Sequence, residues 1–113
     1  MKKGYMLYTV DIALAECLNV IWKHATLLGD LNFEDTESAV AYLLKICSGL
    51  NVIVTRDLAG ETMAIAQTMK VPVYDALYIA LAKRVNGTLY TADQKLHTTA
   101  NKTTNTKLLK LTK

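Results

Sequence analysis

Residues 73–84, VYDALYIALAKR, constrain the fold more than any other stretch of this chain. At helical spacing, Ala76, Ile79, Ala80 and Lys83 share one side, and Leu77, Tyr78, Leu81 and Ala82 the other. A helix that is apolar most of the way round has to be covered on several sides. The pattern therefore predicts a core helix from about Tyr74 to Val85, introduced by Pro72 and ended by Asn86-Gly87. Thr88–Thr91 then reads as a strand, Asp93–His97 as a short turn of helix, and Lys107–Leu111 as a last strand.

The upstream half supplies what such a helix packs against. Asp11 to Leu28 reads as a helix stopped by Gly29, with Glu16, Asn19 and Lys23 on one polar stripe. Residues 35–48 read as a second helix, capped by Asp35 or Thr36, with Val40, Leu43, Leu44 and Cys47 on one face. Asn51–Thr55 is a β-branched strand, and Leu58–Met69 a third helix capped by Asp57. YMLYTV near the start offers another strand. Helices alternating with short apolar strands predict an α/β sandwich around a parallel sheet, as a single domain over residues 1–113.

Several classes are excluded or set aside. No apolar run reaches the ~18 residues of a membrane span, and Asp11 and Glu16 interrupt the opening imitation of a signal peptide, so a cytoplasmic protein is expected. The only two cysteines, Cys17 and Cys47, lie in apolar helical patterns and read as buried thiols, and no Cys/His spacing suggests zinc. The methionines read as core fillers, Trp22 as core or dimer interface, and His24 and His97 as surface or helix-end residues.

The net charge of +3 is unevenly distributed. Residues 83–113 carry seven bases against one acid, and residues 1–82 six bases against nine acids. A basic final third suits a polyanionic partner such as nucleic acid, although a solvated lysine tail has the same composition.

Two acids stand out against this background. In open α/β sheets ligands gather at the carboxyl ends of strands. Asp93 lies just beyond the strand Thr88–Thr91. Asp75 opens the helix that feeds that strand, and a right-handed crossover returns the start of that helix to the same edge. Converging carboxylates are ligands for a hard divalent cation. Each acid taken singly also suits a duller role, Asp75 at the positive end of its helix and Asp93 as a cap.

AECLNVIWK (Ala15–Lys23), VYDALYIALAKR (Val73–Arg84) and TLYTADQKL (Thr88–Leu96) resemble three successive blocks of the PIN-domain family, most closely the VapC-type ribonuclease toxins. The resemblance runs over most of the chain. It implies an α/β/α sandwich with a parallel central sheet and an endoribonuclease dependent on Mg²⁺ or Mn²⁺. It also implies a frequent dimer, often paired with a small antitoxin. On the matching positions, Glu16, Asp75 and Asp93 become metal ligands, Thr91 the hydroxyl beside the metal, and Asn19 a supporting contact. Lys83, Arg84 and Lys95 become candidate RNA contacts. One departure matters: the family opens on a strand bearing an Asp, and no matching acid precedes Glu16. The expectation is thus an N-terminally truncated PIN-like domain, with weakened metal affinity and a tendency to form a homodimer or higher oligomer. The alternative is a catalytically impaired PIN-like module that binds RNA or a protein partner. A further reading is a structural α/β dimer whose acids are only caps.

Overall fold

The computed structural model describes residues 6–109 of the 113. The element order is β1 (Tyr8–Val10), α1 (Ile12–Trp22), a π-helical turn (Lys23–Leu28), α2 (Phe33–Cys47), β2 (Asn51–Ile53), α3 (Thr55–Met69), α4 (Val73–Arg84), β3 (Leu89–Thr91), α5 (Gln94–Ala100) and β4 (Thr106–Leu108). Contacts group the chain into two compact units, one up to Ile53 and one from Val54 onward. The expected last strand falls at Thr106–Leu108, and its predicted end at Leu111 lies outside the described residues.

In the first unit β1 pairs in parallel with β2, Tyr8 opposite Asn51 and Val10 opposite Ile53. The helix expected over residues 11–28 runs without a break but changes character: after Trp22 it widens into the π turn. Gly29 closes it in the left-handed region (φ 70), its N–H donating to the His24 carbonyl. A side chain there would be strained. α2 starts two residues before the position read from the sequence. Its cap is Asn32, whose Oδ1 accepts from the Asp35 N–H at 2.7 Å, so Asp35 and Glu34 become first-turn acids at the positive helix end. Val40, Leu43 and Cys47 are half-buried, whereas Leu44, read onto the same face, is exposed. Among the described residues of this unit Val10 alone is fully buried, and neither α1 nor α2 carries a buried residue. Trp22, read as core or interface, is half exposed.

The second unit contains most of the core. α3 and α4 form its most extensive helix pair. Leu58, Thr62 and Ala66 lie at i, i+4 and i+8 on α3 and are all buried. α4 buries Ala76, Leu77, Ile79, Ala80, Leu81 and Ala82, as its nearly all-round apolar pattern requires. Ile79 packs with Leu96 and Ala100 of α5, with Ile65, Met69 and Leu89 against them. Met69 fits the expected core-filling role, but Met6 and Met63 are exposed. α3 begins at Thr55 with Val54 as its cap, not at Asp57; Asp57 sits in the first turn and donates its N–H to the Val54 carbonyl.

β3 pairs in parallel with β4, Leu89 opposite Thr106 and Thr91 opposite Leu108. Among the described residues the strands register as two parallel pairs, β1–β2 in the first unit and β3–β4 in the second. α4 ends in a turn where Asn86 takes φ 52, the Gly87 N–H reaches the Ala82 carbonyl and the Asn86 N–H reaches the Lys83 carbonyl. This paired bonding caps the final carbonyls and turns the chain into β3.

Candidate active site

The second unit brings Thr91 and Asp93 together at the carboxyl end of β3. Asp93 is the cap of α5, in extended backbone (φ −87, ψ 110). Its Oδ1 accepts from the Lys95 N–H at 2.9 Å and the Leu96 N–H at 3.2 Å. Its own N–H donates to the Thr91 hydroxyl oxygen at 3.0 Å. Thr91 therefore keeps its hydroxyl proton available to donate. Both bonds to the Asp93 carboxylate fall on one oxygen, which leaves Oδ2 for a ligand. Capping and ligation are thus compatible in one side chain.

Asp75 is half-buried in the first turn of α4, three positions after the cap residue Pro72. Each of the two acids therefore stands at the amino end of a helix, where negative charge is favoured. α4 and β3 are joined by the short 85–88 turn, so the strand heads back along the unit toward the end from which α4 started. Lys95 follows Asp93 by two residues and is exposed.

Glu16 and Asn19 lie one turn apart on α1, both exposed, in the first unit. Partial desolvation, then the Cys47 thiol and the Glu16 carboxylate, push the Cys17 thiol above its ordinary range. Cys17 and Cys47 are free thiols, as expected, but Cys17 is exposed rather than buried.

Two placements could not be read from the sequence. Arg84 is clamped in a two-pronged pair: Nε and Nη2 donate to the Glu61 carboxylate at 2.8 and 2.7 Å, and Nη2 also donates to the Asp57 carbonyl. Its guanidinium ties α4 to α3, a role that no spacing along the chain signals. His97 Nδ1 lies 2.9 Å from the Thr106 hydroxyl, which is 3.1 Å from Asn101 Oδ1. The hydroxyl has one proton, so it donates to Asn101 and accepts from a protonated Nδ1. His24 pairs with Asp30 at 3.0 Å.

The donor set suits a hard cation: carboxylate and hydroxyl oxygens are what Mg²⁺ and Mn²⁺ accept. Among the described residues no three His, Cys, Asp or Glu side chains gather as a ready-made cluster. Mg²⁺ does not require one, since it is commonly held by one or two carboxylates and keeps several waters.

A family model described as the PIN domain matches residues 2–102. The chain belongs to the PIN-domain family. This PIN domain is 34% identical over 96 residues to Ribonuclease VapC3 of Pyrobaculum aerophilum, covering 85% of the chain and 72% of that relative. It also resembles the crystal structure of PAE2754 from Pyrobaculum aerophilum, with a TM-score of 0.66 and 28% identity over 80% of the chain. It spans 63% of the length of that solved chain. The α/β architecture with parallel strands is that of the PIN fold. No helix among the described residues is long and apolar enough to cross a membrane.

Proposed function

We propose that this PIN domain is a metal-dependent endoribonuclease, the toxin of a toxin–antitoxin pair acting in the cytoplasm as a homodimer or higher oligomer. The observation that carries the reading is the 34% identity, over 85% of the chain, to a protein named as a ribonuclease. The Thr91–Asp93 geometry and the position of Asp75 support it. In this reading Asp75 and Asp93 hold Mg²⁺ or Mn²⁺, and the resemblance to the family assigns Glu16 the role of a ligand as well. When bound, the cation supplies charge neutralisation at the scissile phosphate and an acidified water. Thr91 would donate a hydrogen bond from its hydroxyl to orient a phosphate oxygen or a water. Asp93 is held still by its two backbone N–H bonds, so its orientation is set before substrate arrives. Lys95 meets the RNA backbone beside it, and Asn19 supports Glu16 from the same helix face.

The test is cleavage of a mixed RNA pool by the purified protein in Mn²⁺, with EDTA and Asp93→Asn as controls. Cleavage abolished by both is expected. Cleavage that persists in Asp93→Asn and Asp75→Asn alike would overturn the assignment. A second reading is a module that binds RNA or a protein without cutting. It predicts no cleavage at any Mn²⁺ concentration and a thermal midpoint indifferent to the metal.

A further inference from the structure

The end of the second unit remote from Asp75 and Asp93 holds an open pocket of about 500 Å³. Lys83, Asn86 and Gly87 wall it from the end of α4, and Asn101, Lys102 and Asn105 from the turn between α5 and β4. We infer that this pocket is a second anion site, which takes a backbone phosphate of single-stranded RNA away from the acids. The inference rests on the reading of RNA as the polymer bound, and not on its cleavage.

The charge is one-sided. The lining contains two lysines and no carboxylate, and among the described residues neither ammonium is in an ion pair. Lysines near helix ends often serve the terminal carbonyls, but here that work is already done by backbone N–H groups. The Leu81, Ala82 and Lys83 carbonyls accept from Val85, Gly87 and Asn86, and the His97, Thr99 and Ala100 carbonyls from Asn101, Lys102, Thr103 and Thr104. The two ammoniums are thus left to solvent or to an incoming anion. Asn101 has its Oδ1 fixed by the Thr106 hydroxyl, so its amide NH₂ remains to donate. Gly87 adds no side chain to that wall, which lets a phosphate approach the backbone.

A smaller recess of about 220 Å³ shares Lys83 and Thr103 with this pocket and is walled by Ala64, Ile65 and Met69 of α3. An apolar shelf beside a cationic, amide-rich hollow matches a ribonucleotide: sugar or base on the shelf, phosphate in the hollow. Distance supports a strand rather than a lone nucleotide. Lys83 lies eight residues along α4 from Asp75, and Asn101 eight residues along from Asp93. At the rise of an α-helix that is about 12 Å, roughly four nucleotides of stacked strand. One strand can therefore lie across the unit, its backbone gripped at one end and the acids at the other.

The test uses the full-length protein in EDTA, so that nothing is cut. An uncleavable 2′-O-methyl pyrimidine decamer is titrated while backbone amide resonances are followed by NMR; inorganic phosphate and uridine 5′-monophosphate serve as the small probes. Expected are shifts at Asn86, Gly87 and Lys102–Asn105 with the decamer at far lower concentration than with either small probe. The double variant Lys83→Gln/Lys102→Gln should bind the decamer about tenfold more weakly, with a salt slope lower by about 1.4. Lys83→Arg/Lys102→Arg should restore most of the affinity. Because both lysines are exposed, an unchanged thermal midpoint serves as the folding control. Equal affinity for uridine monophosphate and decamer would overturn the strand assignment in favour of a small phosphate ligand. Decamer binding without shifts at these amides, or unaffected by the glutamine pair, would overturn the site itself. RNA cleavage in Mn²⁺ without these shifts would leave the ribonuclease reading standing and remove this inference; the shifts without cleavage would do the reverse.

Discussion

Asp93 carries two duties that substitution separates. Its Oδ1 holds the first N–H groups of α5, and its charge serves the proposed metal. Asn caps helices about as well as Asp, whereas Ala loses roughly 1 kcal/mol. Asp93→Asn should therefore abolish RNA cleavage while leaving the unfolding free energy within about 0.5 kcal/mol; Asp93→Ala should lose cleavage and about 1 kcal/mol besides. Denaturant melts beside the nuclease assay check both, and a large loss of stability in the Asn variant would show that the cap is not what it replaces. Cys17 gives a pH prediction. Its thiol is raised by desolvation, Cys47 and Glu16, so less of it is thiolate at any pH below its midpoint. Its alkylation by iodoacetamide near pH 8 should be slower than that of an unstructured cysteine peptide, and an equal or faster rate would contradict the assignment. These residues were legible to different degrees. Asp75 and Asp93 were marked by their place at element boundaries. The Arg84–Glu61 clamp was not, because 23 residues separate its partners and only the packing of α3 on α4 joins them.

The helices show what local chemistry fixes and what it leaves to packing. All four helical stretches before β3 were expected, and the apolar surround of α4 announced its burial. Their starts were misread at α2 and α3, since several polar residues compete for each cap and backbone geometry selects among them. Asn32 prevailed over Asp35 and Thr36; Val54, with no capping side chain, precedes α3. At the other end of α3, Lys70 takes φ 56, a left-handed position. Lys70→Gly should raise stability by about 0.5–1 kcal/mol, read as a higher denaturation midpoint with unchanged slope. Midway along the same helix, Thr62 is 3% exposed and its hydroxyl has no hydrogen-bond partner. Thr62→Val removes the buried polar atom at nearly constant volume and should stabilise the protein by about 1 kcal/mol. A loss instead would mean that the hydroxyl has a partner such as water.

The whole molecule leaves a large apolar surface on its first unit. Phe33 is 77% and Tyr42 70% exposed, and Leu44 and Ile46 of α2 are more than half exposed. Surface of this kind ordinarily marks an interface. The proposed homodimer or higher oligomer should appear in light scattering at micromolar concentration, and replacing Phe33 and Tyr42 with Ser should shift the mass to that of one chain. A monodisperse monomer before any substitution would refute the oligomer. The apolar periodicity of α1 and α2 was visible in the sequence, but periodicity does not say which chain covers a face. Nor does it say that the parallel strands register as two separate pairs, since strand partnership depends on long-range closure. The pairing of β1 with β2 draws on nothing beyond Ile53. Every residue of the β1–β2 pair precedes the segment bearing Asp75 and Asp93, so a chain still being synthesised already contains both strands of that pair before the ribosome adds the acids.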